Sequence, residues 1–444
     1  MDTEDIREFA LPRSRAANER LHALVPGGAH TYAKGDDQYP EDLAPVISHG
    51  RGAHVWDVDG NRYVEYGSGL RSVSLGHAHP RVTEAVRREI DRGGNFVRPS
   101  VVEVEAAERF LATVPTAEMV KFAKNGSDAT TAAVRLARAA TGRRRVAICA
   151  DHPFFSTDDW FIGTTPMSAG IPDAVNELTV TFPYGDLAAT EEVLSRYRNE
   201  VACLILEPAT HSEPPPGYLA GLRELAHRHG CVLVFDEMIT GFRWSEAGAQ
   251  GLYGVVPDLS TFGKALGNGF AVSALAGRRE LMERGGLRHS GDRVFLLSTT
   301  HGAETHSLAA AMAVQAAYAE EGVTARLHAL GERLAAGVRE AAAGMGVGDH
   351  VVVRGRASNL VFATLDENGR PSQEYRTLFL RRLLAGGVLA PSFVVSSALS
   401  EADIDHTVDV VAQACAVYRK ALDAGDPGSW LGGRPVKPVF RRLV

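Results

Sequence analysis

The sequence predicts an α/β chain, with a mainly parallel central sheet in a large domain and a small α+β domain beside it. Three observations carry this. Between about residue 80 and residue 280, short apolar runs that suit strands alternate with runs of helical spacing, the pattern of βαβ units. Beyond about 325 the alternation stops, and long helical runs bracket only two short strands. The chain has 444 residues, too many for one ordinary hydrophobic core. The expected division is residues 1–75 as an N-terminal segment packing with the small domain, 76–325 as the large domain, and 326–444 as the C-terminal small domain.

The elements follow in order. Helical residues open the chain and stop at Pro26-Gly27-Gly28. Apolar segments at His54–Trp56 and Arg62–Glu65 flank Asp57-Val58-Asp59-Gly60, which reads as a hairpin. A strand at Met119–Ala123 precedes an Ala-rich helix over Asp128–Ala140. Val146–Ala150, Val201–Leu206 and Cys231–Phe235 are continuous apolar runs, as expected for strands buried on both faces. The helix Leu219–Arg228 joins the last two, and another starts near Ser307 and runs toward Tyr318. Helices over 327–343, 375–384 and 401–422 then bracket strands at Val351–Val353 and Leu360–Thr364. The tail from Gly432 is Pro-rich and basic and is expected to lie over the surface.

Composition narrows the function. Hydrophobic residues make up 45% and charged residues 23%, as in an ordinary globular protein. The net charge is −7, so no basic excess is available for a nucleic-acid partner. Cys149, Cys203, Cys231 and Cys415 lie far apart and read as buried thiols in a reducing compartment. The first five residues are acidic, unlike a secretory leader, and no apolar stretch is long enough for a bilayer. A cytoplasmic protein with no membrane partner is expected.

Chemistry is expected at strand ends, because parallel sheets bind ligands beyond the carboxyl ends of their strands. Asn125-Gly126-Ser127-Asp128 joins a strand to a helix, with Ser127 as a candidate cap. Such a helix start offers free N–H groups to an anion, although a plain cap explains the same residues. Glu207 and Asp236 follow apolar strands directly. Lys264, between Gly263 and Ala265, is poorly placed for solvation; burial lowers a lysine pKa and frees an amine for Schiff-base chemistry. Other motifs fail. Gly263-Lys264 lacks the earlier glycine and the Ser/Thr of a nucleotide loop, and Gly67-Ser68-Gly69 lacks the third glycine of a dinucleotide fingerprint. His77/His79 and His227/His229 have no HExxH or cysteine context, so no metal is expected.

An anion site, a strand-end acid and a buried lysine together fit pyridoxal 5′-phosphate. The chain resembles the class III, fold type I pyridoxal-phosphate aminotransferases, and within them the glutamate-1-semialdehyde 2,1-aminomutase-like group. The resemblance runs in order through Pro26–Gly28, Gly76–Pro80, Asn125–Ala129, Phe235–Arg243, Thr261–Lys264 and Ser298–Gly302. It implies Lys264 as the Schiff-base lysine and proton carrier, and Asp236 against the pyridine nitrogen. It implies Gly126 and Ser127 on the phosphate, Thr300 on the phosphate of a partner subunit, and Glu207 near the cofactor. It also implies a homodimer with shared active sites, a small domain built from both chain ends, and a small-molecule amino donor with a carbonyl acceptor.

The chain departs from that pattern in places. Where the family has Tyr-His-Gly, with a ring on the cofactor, this chain has Ala150–Trp160; Phe154 is the expected stacking ring, with Asp151-His152 the other alignment. His301 follows Thr300 where the family has an aromatic. The arginine that pairs with the mutase substrate's carboxylate falls in Ala29–Lys34, where Lys34 keeps the charge without the fork. Pro391–Ser397 lacks the glutamate of the mutases. Arg71 is a candidate replacement anchor for a donor carboxylate, or a tie for its own loop. Gly28–Lys34 and the Arg434–Arg441 tail resemble relatives that aminate sugars or natural-product intermediates. An intermolecular aminotransferase is therefore expected. The alternatives are a 2,1-aminomutase and a non-catalytic dimer that keeps the fold.

Overall fold

The computed structural model describes residues 11–151 and 154–442. They form two compact units. One holds residues up to Ser68, Leu75–His79 and Ala325 onward; the other holds Gly69–Ser74 and Pro80–Thr324.

The second unit is built on a seven-stranded sheet. Its order is Met119–Ala123, Ser273–Gly277, Leu259–Phe262, Val232–Asp236, Val201–Leu206, Arg145–Cys149 and Thr179–Phe182. Ser273–Gly277 is antiparallel to both of its neighbours, so the other six strands share one direction. Two of the seven, Thr179–Phe182 and Ser273–Gly277, carry too weak an apolar signal to stand out in the sequence.

Side-chain alternation explains the uninterrupted apolar runs. Val146, Ile148, Val232 and Val234 face one core, shared with the helix Gly126–Thr141. Ala147, Cys149, Leu233 and Phe235 face the other, shared with the helix Tyr218–Arg228. With both faces covered, every position of Val201–Leu206 and Val232–Asp236 is buried. The ends of Val201–Leu206 and Val232–Asp236 are then where the carboxylates Glu207 and Asp236 enter.

The first unit holds the hairpin His54–Asp57/Arg62–Glu65. Buried Asp57 accepts the N–H groups of Asp59 and Asn61 and the Tyr63 hydroxyl (2.8 Å), which fixes the turn. Asp59 in the same turn accepts the Arg13 and Ser14 N–H groups at the start of the helix Pro12–Leu24. Val388–Leu389 adds in parallel to Arg62–Glu65, so distant parts of the chain share one small sheet. A second antiparallel pair, Val351–Arg354 with Val361–Thr364, and the helices Gln373–Ala385 and Glu401–Ala424 complete the α+β layer. The tail departs from expectation. It does not simply lie on the surface: Val436 is buried, and its N–H donates to the hydroxyl of Thr377 on the helix Gln373–Ala385.

Candidate active site

The common direction of six strands brings their carboxyl ends to one edge of the second unit. Asp236 ends its strand and is buried. Its Oδ1 accepts the Met238 N–H and the Thr261 hydroxyl, each at 3.0 Å, so the carboxylate is held rigidly. Glu207, directly after Val201–Leu206, is also buried. Lys264 follows Leu259–Phe262 across Gly263 and opens the short turn Lys264–Gly267. Its φ of +46° is left-handed, a strained conformation for a side-chain-bearing residue.

Met238 shapes the space between these groups. A Cβ on Gly263 would lie 2.6 Å from its sulfur, and a Cβ on Gly126 3.1 Å. Glycine at both places lets the lysine turn and the helix start close around one thioether. Gly126 is the first residue of the helix Gly126–Thr141. Here one expectation is corrected: Asn125, not Ser127, is the cap, and Asp128 accepts the Asn125 N–H (3.0 Å) to close the box. The Ser127 hydroxyl instead accepts the Thr157 N–H (3.0 Å), tying the loop after the next strand to the helix start.

Electrostatics joins the acids to the lysine. Burial pushes Glu207 up to about 7 and Asp236 up to about 6, while Lys264 pulls each back. Burial lowers Lys264, helped by Arg71 and Arg243 and opposed by Glu207 and Asp236. The same burial thus pushes the lysine down and the two acids up, and the opposite charges pull each partly back.

Arg71 lies at the end of a left-handed turn: Ser68, Gly69, Leu70 and Arg71 all have φ between +45° and +71°. Only one of the four is glycine, so the turn stores strain that its surroundings must hold. Arg243, fully buried, donates to the Arg71 carbonyl (2.7 Å). The backbone at Arg71 is thus tied down, and its side chain still contributes charge beside Glu207 and Lys264.

The remaining candidates lie farther out. Phe154 is 42% exposed and meets Phe161 edge-on at 5.5 Å, whereas Phe155 is buried in the core. Asp151 is exposed and accepts the Tyr184 N–H, and His152 lies outside the described residues. Thr300 is exposed, with its carbonyl on Asn95 (3.0 Å). Next to it His301 pairs with Glu304 (2.9 Å), which also binds Lys124. Lys34 belongs to the first unit, exposed at the end of the short turn Tyr32–Lys34. The structure therefore brings together Asp236, Glu207, Lys264, Arg71, Gly126 and Ser127 within one unit, with Phe154 and Thr300 at its surface.

Three contributors went unassigned in the sequence. Glu237 turns away from the lysine: its carboxylate accepts the N–H groups of Ala249 (2.7 Å) and Gln250 (2.8 Å) and the Thr240 hydroxyl. Arg243 and Met238 are the others. All three sit in the segment after Asp236; the partners of Glu237 follow within thirteen residues, whereas Arg243 meets Arg71, and Met238 lies against Gly126, far back in the chain. Three of the four paired histidines meet separate acids: His77 meets Glu65, His227 meets Asp258 and His229 meets Glu191. Among the described residues no group of three or more metal-ligating side chains is present, no helix is long and apolar enough to cross a membrane, and the four cysteines are free and buried.

Residues 36–396 match the profile of the family described as Aminotransferase class-III. The chain is 34% identical to a glutamate-1-semialdehyde 2,1-aminomutase of Desulfitobacterium hafniense over 424 residues, 90% of this chain and 97% of the relative. In structure it is similar to an omega-transaminase from Sphaerobacter thermophilus (TM-score 0.83, 27% identity, 91% of this chain and 98% of that one). It is also similar to a transaminase with PLP bound (TM-score 0.84, 26% identity, 94% and 99%).

Proposed function

The chain belongs to the class III aminotransferase family, and from that premise we propose that it moves an amino group between molecules, from an amino-acid donor to an aldehyde or keto acceptor. It is a pyridoxal-phosphate-dependent transaminase of fold type I. The residues present suit the cofactor. A helix start with a serine beside it can take the phosphate, a held carboxylate can take the pyridine nitrogen, and a lysine of lowered pKa can take the aldehyde. When bound, the cofactor supplies a ring that accepts electrons from the substrate carbon.

The protein's own contribution is position and proton control. Lys264 Nζ, buried and with its pKa lowered, would hold the cofactor's aldehyde and move the proton at the substrate carbon. Asp236, fixed by Met238 and Thr261, holds the ring-nitrogen proton. Glu207 tempers the Lys264 charge. Gly126 and Ser127 grip the phosphate, and Phe154 covers the ring face. Arg71 receives the donor carboxylate, with Lys34 as a second cation for the substrate.

One observation carries the choice of transfer between molecules over the mutase reaction. Pro391–Ser397 carries no acid where the mutases carry a glutamate; its middle, Phe393, Val394 and Val395, is fully enclosed and flanked by serines. A mutase must retain its diamino intermediate and return its cofactor to the starting form, and this chain lacks one of the parts for that. The acceptor is a carbonyl of a sugar or natural-product intermediate, a reading supported by the resemblance of Gly28–Lys34 and of the tail. The test is to supply glutamate-1-semialdehyde alone. Formation of 5-aminolevulinate with no other donor or acceptor would replace this reading with the mutase one.

A homodimer with shared sites is part of the proposal, in the cytoplasm. Phe96, Val97, Val101 and Val104 are exposed, and Asn95, on the Thr300 carbonyl, adjoins them. Such an apolar patch suits a subunit interface, and Thr300 beside it would then reach the partner's phosphate. Sedimentation at micromolar concentration checks this: a monomer throughout removes Thr300 from the site.

A further inference from the structure

The C-terminal tail crosses the first unit and ends on the segment next to Lys34. It lies beyond residues 36–396, the part that matches the family profile. Its course is well fixed. The Val436 N–H donates to the Thr377 hydroxyl (2.8 Å), and Val436 is buried. Gly432 has φ +69°, and a Cβ there would lie 2.6 Å from both Arg381 Nε and Asp42 Oδ2. The Arg434 N–H donates to Glu41 Oε2 (2.8 Å). Two bonds then converge on one residue: the Lys437 N–H donates to the Asp37 carbonyl (3.0 Å), and the Arg441 guanidinium pairs with Asp37 Oδ2 (2.6 Å).

Asp37 belongs to the turn Asp36–Gln38, which follows Tyr32–Lys34 across Gly35 alone. Each turn closes with only a few backbone bonds of its own, such as Gly35 N–H to the Tyr32 carbonyl (3.0 Å). So short a 3₁₀ segment does not hold itself in place. On its other side, His22 meets Asp36 at 3.0 Å. The Lys34 turn is thus clamped from the first helix and from the tail, and the tail's grip runs through a single acid.

We propose that Arg441, paired with Asp37, is a positioning residue that sets the Tyr32–Lys34 turn and thereby the fit of an anionic substrate group to Lys34. This rests on the reading of Lys34 as a substrate cation. The closing experiment uses full-length holoenzyme, with the fastest-reacting common L-amino acid as donor, and follows the half-reaction through the cofactor absorbance. Arg441→Ala is expected to raise the donor concentration at half-saturation about fivefold, with the limiting rate and the resting spectrum unchanged. Arg441→Lys should retain most of the wild-type value. In a Lys34→Ala background, Arg441→Ala should add nothing, because the residue it positions is gone. Amide exchange over residues 32–39 should quicken in Arg441→Ala. If Lys34→Ala weakens saturation but Arg441→Ala does not, or if their effects simply multiply, the tail has no positioning role. A joint loss of limiting rate and resting absorbance in Arg441→Ala would mark a general structural fault and overturn the proposal as well. If Lys34→Ala is silent, the reading of Lys34 itself falls, and the proposal with it.

Discussion

The carboxyl edge of the seven-stranded sheet, in one unit, and the segment from Pro26 to Tyr39, in the other, are secured by opposite means. At the sheet edge each functional group continues a buried strand, and its neighbours are bonded on several sides: Asp236 by Met238 and Thr261, Glu237 by two N–H groups and a hydroxyl. Pro26–Tyr39 is a chain of short turns with Tyr32 and Lys34 exposed, secured by His22–Asp36 and Arg441–Asp37. Partly exposed ion pairs of that kind contribute about 0–1 kcal/mol each. The chemistry is built where every displacement breaks several buried contacts. Under the proposed role of Lys34, substrate choice would lie where a turn can be re-aimed at little cost.

The sharpest break of this contrast is Lys264→Ala. It should lower turnover by about 10⁴-fold or more and abolish the borohydride-reducible link to the cofactor. Retained turnover would show that the edge is not the reacting centre.

Asp236 sharpens the contrast through pH. Burial holds its carboxyl at about 6 before the cofactor arrives. The ring-nitrogen proton needs the ionised carboxylate, so cofactor affinity should decline as pH falls through 6, by about tenfold at pH 5. Asp236→Asn should bind about 10–100-fold more weakly at pH 7 and lose that part of the pH dependence. Titration of apoprotein at several pH values measures both, and an identical profile in the variant would take Asp236 out of the ring-nitrogen role.

The smallest effect concerns the scaffold alone. Gly248 has φ +79°, and a Cβ there would lie 2.3 Å from Glu237 Oε2. Gly248→Ala should destabilise the fold by about 1–3 kcal/mol while leaving the half-reaction rate of folded protein nearly unchanged. Thermal unfolding beside single-turnover kinetics separates the two. A lower rate without a lower melting temperature would place the Glu237 loop in the chemistry.

What the sequence made readable follows the same division. Asp236 and Lys264 stand at the ends of apolar runs, and a charged residue there has few structural excuses. The cap was misassigned because Asn125 and Ser127 are both good caps, and only the Asp128 partner three residues after Asn125 decides between them. Arg243 was visible as part of a motif, but its role depends on the Arg71 carbonyl far along the chain. The left-handed turn at Ser68–Arg71 leaves one weak trace, Gly69, because Leu70 and Arg71 are held there by tertiary contacts against their own preference. Ser273–Gly277 is built of small residues, and its strand character comes from two flanking partners.

The lone reversed strand also sets an order of assembly. Met119–Ala123, which leads into the helix Gly126–Thr141, pairs among the described residues with the strand Ser273–Gly277 alone. That partner emerges from the ribosome much later, after every other strand of the sheet. A nascent chain halted before it holds the helix start unseated from the lysine turn, so cofactor capture belongs to the end of the sheet's synthesis. The small sheet of the first unit is completed later still, when Val388–Leu389 joins the hairpin. Contacts of such long sequence separation form slowly, and the interval is when the exposed apolar edge of Met119–Ala123 is open to wrong partners and to chaperones.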